Sequence, residues 1–182
     1  MIGRLRVFAS HHRIVTSAAF AGLFLALAQP TSRSIALGLP FVVLGEFFRT
    51  WSSGYIRKDH SLATDGPYSL TRNPLYLGNF VLGLGFAIMA NRWSVLFVFL
   101  AVFAIIYDAT IDDEERKLLK RFGDAFVLYC REVPRFFPRL SGWRSAQFRW
   151  ALVRQHREFQ TWAAVVGALA IVVLKMWWGE HS

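Results

Sequence analysis

The stretch DHSLATDGPYSLTRNPLYLG, residues 59–78, decides how this chain is read, because it crowds His60, Tyr68, Arg72, Asn73, Pro74 and Tyr76 between two strongly apolar segments. Polar residues this dense beside an apolar helix are expensive to keep unless they contact something. Pro74 favours a helix start at that point, since its fixed φ suits the first helical position. A second polar cluster, Asp112-Asp113-Glu114-Glu115, stands at the end of another apolar segment. The two clusters together predict a ligand site at a membrane surface.

Working outward, the 182 residues are 54% hydrophobic and 16% aromatic, too apolar for an ordinary soluble domain of this size. The mean hydropathy is positive. Uncharged windows run over 14–32, 73–91, 93–107 and 159–174, and a fifth apolar segment, 34–51, is interrupted late by Glu46 and Arg49. A span needs roughly 17–25 mostly apolar residues, which most of these windows reach once their flanks are added. None of the windows reads as a soluble amphipathic helix, and the alternative is buried core helices of a soluble bundle. The expected fold class is all-α: an integral membrane bundle of about five transmembrane helices with cytoplasmic interfacial helices. No internal repeat or low-complexity linker appears, so residues 1–182 are expected to form one domain.

Basic residues orient that bundle. Arg4, Arg6 and Arg13 precede the first span, Arg57, Lys58 and Arg72 lie between the second and third, and eleven of the 21 Lys and Arg fall between Arg116 and Arg157. The short connections on the other side carry only Arg33 and Arg92. The positive-inside rule then places the N-terminus, the 52–72 loop and the 112–158 segment in the cytoplasm. The net charge of +9 suits anionic lipid headgroups. Its arginines are scattered singly among Phe, Trp and Leu, as on helices lying on a bilayer, so no nucleic-acid partner is expected.

After the fourth span, Glu115, Leu118, Leu119, Phe122, Phe126 and Tyr129 recur at helical spacing opposite Arg116, Lys117, Lys120 and Arg121, which predicts an amphipathic helix leaving the membrane. Residues 143–158 read as a second interfacial helix leading into the fifth span. Cys130 is the only cysteine, which rules out an internal disulfide and a cysteine-based metal cluster. His11 and His12 are adjacent and would point to different sides of a helix, so no metal site is expected.

DHSLATDGPYSLTRNPLYLG resembles the H-x-L-V-T-x-G-x-Y and R-H-P-x-Y-x-G motifs of the isoprenylcysteine carboxyl methyltransferase family. The later EERKLLKRFGDAFVLYCREVPRFFP is similar to that family's E-E-x-x-L…F-G-x-x-Y…Y…V-P-x-x-I-P, in the same order. Related phospholipid N-methyltransferases share the Glu-Glu pair and use a G-x-G in a membrane helix, matched here by Gly83-Leu84-Gly85. The resemblance implies a bundle that binds S-adenosylmethionine on its cytoplasmic side and methylates a lipophilic acceptor embedded in the membrane. By that resemblance His60, Ser61, Leu62 and Ala63 line the cofactor, Tyr68 closes the pocket with Asn73, Pro74, Leu75 and Tyr76, and Glu114 or Glu115 holds a polar group. Asn73 stands where the family usually has histidine. Thr110 or Ile111 stands where eukaryotic members place an arginine one turn before the glutamate.

The chemistry of the cofactor suits these residues. Tyrosine faces such as those of Tyr68 and Tyr76 attract a sulfonium, Glu115 suits an ammonium, and Arg72 suits a carboxylate as a bidentate partner. Arg72, Glu115 and Tyr76 are therefore the expected catalytic residues. A carboxyl acceptor, as in isoprenylcysteine O-methylation, needs no general base; an amine acceptor, as in phospholipid or amino-lipid N-methylation, must lose a proton to Glu114, Glu115 or His156. A sterol-reductase-like enzyme using a reduced nicotinamide cofactor and a non-catalytic lipid-binding protein are the other readings.

Plainer roles stand beside each assignment. The tyrosines could be interfacial belt residues, Gly83 and Gly85 could serve close helix packing, and Arg72 could snorkel to lipid phosphate. Glu114 and Glu115 could be a solvated turn, Glu46 and Arg49 an intramembrane ion pair, and His156 and Glu158 part of a solvated basic helix.

Overall fold

The computed structural model describes residues 22, 24, 26–56, 61–139 and 141–181, which are helical with irregular connections and contain no strand among them. Among the described residues the helices that can be bounded are, in chain order, α1 Ser32–Ser53, α2 Pro74–Met89, α3 Trp93–Phe122, α4 Asp124–Glu132, α5 Trp150–Gln155 and α6 Glu158–His181. A 3-10 turn, Gly66–Ser69, precedes α2. Helices α1, α3 and α6 are long and apolar enough to cross a membrane. Most of the expected first span, 14–32, lies outside the described residues, with Gly22, Phe24, Ala26 and Leu27 helical.

Local sequence explains the helix ends. Thr31 caps α1 through a reciprocal capping box with Ser34, which satisfies donors that the first turn leaves unpaired. Pro40 lies inside α1, a position tolerated in membrane helices because neighbouring groups satisfy the freed backbone. Pro74 begins α2, as its sequence position predicts. At 16 residues α2 is about 24 Å long, less than the roughly 30 Å apolar core of a bilayer. It fills its place by packing rather than by length.

That packing is antiparallel and close. A Cβ on Gly38 would lie 2.4 Å from the Gly85 carbonyl oxygen, and one on Gly45 would lie 2.4 Å from the Leu82 nitrogen. Small residues let the α1 and α2 backbones touch, the usual basis of helix association where lipid removes the hydrophobic driving force. The chain then turns at Ala90–Arg92, where the Gln29 nitrogen donates to the Ala90 carbonyl at 2.9 Å. Helix α3 returns along α2, and Phe99 and Phe103 bury against Ala87 and Phe80. Helix α6 runs antiparallel to α1, with Glu158 beside Arg49 at one end and Met176 beside Ser32 at the other. Large apolar side chains such as Val43, Phe47, Phe97, Val166 and Leu174 face outward, as lipid contact requires.

Two local expectations change. The fourth span and the amphipathic helix after it form one continuous rod, α3, which breaks only at Gly123 (φ +51°) before α4. Residues 143–158 are not one interfacial helix, since only Trp150–Gln155 is helical before α6 begins. The segment before α5 is pinned to the 54–69 loop instead: the Arg149 nitrogen donates to the Gly54 carbonyl and the Gly66 nitrogen to the Arg144 carbonyl. Trp143 stacks on Trp51, and the Phe148 ring fills the space a side chain on Gly54 would need. Backbone donors engaged by another segment are lost to a local helix.

Candidate functional site

Both sequence motifs meet at one end of this bundle, where α1 ends, α2 begins, α3 emerges and α6 starts. The segment 70–73 lies alongside 134–139. The Arg72 nitrogen donates to the Pro134 carbonyl at 2.9 Å, and the Arg139 nitrogen donates to the Leu70 carbonyl at 3.0 Å. Thr71 Oγ1 donates to the Phe136 carbonyl and Asn73 Nδ2 to the Arg135 carbonyl, each at 2.9 Å. This zipper carries Arg72 to the acidic stretch of α3.

There Arg72 Nη2 stands 3.5 Å from Glu115 Oε1, and Arg135 Nε stands 3.7 Å from Glu115 Oε2. Arg135 also pairs with Asp108 at 3.0 Å and with Asp112. Beside this cluster the Tyr76 hydroxyl donates to Glu114 Oε2 at 2.7 Å, and the Tyr76 ring meets Tyr107 edge-on, 5.3 Å between centroids. Tyr107 in turn stacks on Phe103. Three polar atoms of the cluster, Arg72 Nε, Arg135 Nε and Glu115 Oε1, are buried without a hydrogen bond.

A second layer supports the first. The Tyr129 hydroxyl donates to the Tyr68 carbonyl at 2.7 Å, and Leu62 packs against Phe126, Tyr129 and Val133. Burial holds the Tyr68 hydroxyl well above its ordinary value of 10, with Glu114 and Tyr129 adding to the effect. Burial likewise raises Tyr129, partly offset by Arg72. Both phenols are therefore neutral donors at physiological pH, not bases.

The expected residues divide by position. Arg72, Tyr76, Glu114 and Glu115 come together directly, and Tyr68 stands behind them. The side chain of Asn73 is buried and turned to the Arg135 carbonyl, and Pro74 is fully buried, so both build the frame. Leu75 is half-buried in the first turn of α2. Ser61, Leu62 and Ala63 line a small cavity of about 90 Å3 with Tyr55, Gln147 and Leu152. His60 lies outside the described residues. For Gly83 and Gly85, a Cβ would meet the Phe99 ring at 2.4 Å and Val42 Cγ2 at 2.7 Å, so helix packing occupies both positions.

Glu158 corrects the reading of a solvated basic helix. It is 5% exposed and holds Arg49 at 3.0 Å, while Arg49 also reaches Asn79 and Thr161 and lies 3.9 Å from Glu46. The charge is buried because it is paired across three helices. His156 Nε2 is 3.1 Å from the Ile56 carbonyl oxygen, which ties α5 to the end of α1. Asp108, Tyr107 and Arg135 were not singled out by sequence reasoning. Arg135 had one local signal, a lone cation inside the proline-flanked apolar run VPRFFP.

The fold and this cluster define the class: a helical membrane protein whose polar site closes one end of an antiparallel bundle. The phospholipid methyltransferase family model matches residues 18–125, more than half of the sequence, and the chain belongs to that family. Over 112 residues it is 42% identical to a cobalt-zinc-cadmium resistance protein of Cupriavidus metallidurans, covering 60% of this chain and 51% of that protein. A nickel-cobalt-cadmium resistance protein of Alcaligenes xylosoxydans xylosoxydans is 38% identical over 61% of this chain and 53% of its own length. A protein-S-isoprenylcysteine O-methyltransferase of Schizosaccharomyces pombe is 27% identical over 71% of this chain and 59% of its own. The chain thus spans about half the length of the curated relatives it matches. No solved structure matches it. Among the described residues no group of His, Cys, Asp and Glu is arranged to hold a metal ion.

Proposed function

We propose that this chain is a membrane methyltransferase that moves the methyl group of S-adenosylmethionine to a lipophilic acceptor, by carboxyl O-methylation. The observation that carries this reading is the pair of buried polar atoms without hydrogen bonds, Arg72 Nε and Glu115 Oε1. Leaving such an atom unsatisfied costs about 1–3 kcal/mol, and a guanidinium beside a carboxylate suits an amino-acid zwitterion. The residues present therefore fit the amino-acid end of the methyl donor.

When bound, S-adenosylmethionine supplies an electrophilic methyl group on a sulfonium. Arg72 would hold its carboxylate and Glu115 its ammonium, while the Tyr76 face attracts the cationic centre. The aromatic wall of Phe103 and Tyr107 keeps water out, so positioning and a dry site supply much of the rate. A carboxylate acceptor arrives already ionised, and the neutral phenols of Tyr68 and Tyr129 need move no proton. The acceptor enters sideways from the bilayer, and the basic-residue asymmetry supports a cytoplasmic site.

The name of the Schizosaccharomyces pombe relative favours the carboxyl acceptor. The description of the matching family favours a second reading, N-methylation of an amino-lipid, with Glu114 taking the proton. Incubating the full chain in membranes with labelled S-adenosylmethionine and lipid extract tests both. Base-labile label in the product supports the methyl ester, base-stable label supports N-methylation, and no transferred label sinks the proposal.

A further inference from the structure

We propose that Arg135 is a positioning residue that sets Glu115 and Asn73 in register for ligand binding, an inference that rests on the methyl-donor reading above. Arg135 joins the two motifs by two routes. Its carbonyl accepts from Asn73 Nδ2 at 2.9 Å, and its side chain reaches the acidic stripe of α3. Asp108, Asp112 and Glu115 recur at helical spacing and so share one face. Three carboxylates on one face repel each other, and repulsion would turn Glu115 away from Arg72.

The guanidinium counters this by geometry as well as charge. Nη1 meets Asp108 at 3.0 Å, Nη2 meets Asp112, and Nε faces Glu115 Oε2 at 3.7 Å. Each nitrogen thus addresses a different carboxylate, which only a planar fork can do. A lysine ammonium is a point charge and cannot span the three. The backbone is held as firmly: the neighbouring Pro134 carbonyl accepts from the Arg72 nitrogen, and the Phe136 carbonyl accepts from Thr71. Arg135 thereby fixes the spacing between Arg72 and Glu115, the two groups that would hold opposite ends of a zwitterion.

The test is a double-mutant cycle on the full chain in lipid nanodiscs, using Arg135→Lys, Glu115→Gln and the double variant. Titration with S-adenosylhomocysteine is expected to show a roughly tenfold loss of affinity for Arg135→Lys, at the low end for a hydrogen bond to a charged group. The double variant should lose no more than Glu115→Gln alone, since Arg135 acts through Glu115. Wild-type affinity in Arg135→Lys overturns the proposal, and so do losses that multiply in the double variant, which a merely structural role would give. Wild-type protein that binds no S-adenosylhomocysteine removes the methyl-donor reading instead. The same cycle read on the unfolding midpoint then tests the contact itself: coupling between positions 115 and 135 shows that Arg135 holds Glu115 in place, and its absence overturns the proposal.

Discussion

The hydroxyl of Tyr76 donates to Glu114 Oε2 at 2.7 Å, joining the first turn of α2 to the emerging part of α3 across 38 residues of sequence. One motif supplies the phenol and the other the carboxylate, so neither is complete alone. The bond also orients the Tyr76 ring against Tyr107.

Replacing that ring should separate charged from neutral ligands. Tyr76→Leu is expected to weaken S-adenosylmethionine more than S-adenosylhomocysteine, by about 0.5–2 kcal/mol, the size of a cation–π contact. Tyr76→Phe keeps the ring and should keep most of the discrimination while losing the bond to Glu114. Calorimetric titration of both ligands reads the difference, and equal losses in Tyr76→Leu would show that the ring does not sense charge.

The Arg49–Glu158 pair should be a stability element. Arg49 and Glu158 side chains are 13% and 6% exposed, and removing one partner leaves a buried charge uncompensated. Glu158→Ala is expected to cost roughly 3 kcal/mol, measured by unfolding in mild detergent. A cost near zero would mean that α6 is held by its apolar contacts alone.

Close contact between α1 and α2 can be tested at Gly45. A Cβ there would sit 2.4 Å from the Leu82 nitrogen and 2.7 Å from the Gly78 carbonyl oxygen. Both are backbone atoms, which cannot swing aside as a side chain can. Gly45→Val should lower stability by about 1–3 kcal/mol, the range for overpacking, whereas an unchanged unfolding midpoint would contradict this packing.

Sidedness is open to direct labelling. Cysteines placed at Ser61 and Ser141 should react with an impermeant thiol reagent only from the cytoplasmic face, and one at Ser32 only from the opposite face. Reaction of the Ser61 and Ser32 positions from the same side would break the proposed orientation.

Alkaline stability should follow the buried phenols. Tyr68 and Tyr129 have their ionisation raised above the ordinary 10 by burial. Below pH 10 both states keep these protons, so their stabilising effect is fully present. Above it the unfolded chain ionises first and stability falls as pH rises. Unfolding midpoints from pH 9 to 12 should show this fall, and Tyr129→Phe should shrink it; an unchanged slope in that variant would place Tyr129 elsewhere.

Much of the architecture was readable along the chain, because helix length, apolar composition and capping are local properties. The windows 34–51, 73–91 and 159–174 correspond to α1, α2 and α6, and Pro74 marks the start of α2 as its fixed φ requires. The same local reading grouped Arg72, Tyr76, Glu114 and Glu115, since motif residues beside apolar segments stand out by composition. Partner choice was beyond it. Nothing near Glu158 reveals that its charge ends on Arg49, 109 residues away, or that Arg149, before α5, gives its backbone N–H to the Gly54 carbonyl. Arg135 likewise shows its meaning only when residues 134–139 lie against 70–73 and its guanidinium meets Asp108, Asp112 and Glu115. The first pairing is set by the antiparallel closure of α6 on α1 and the Arg135 contacts by the seating of 134–139 between 70–73 and α3, and electrostatic satisfaction of buried charge depends on distance in space rather than on separation along the chain.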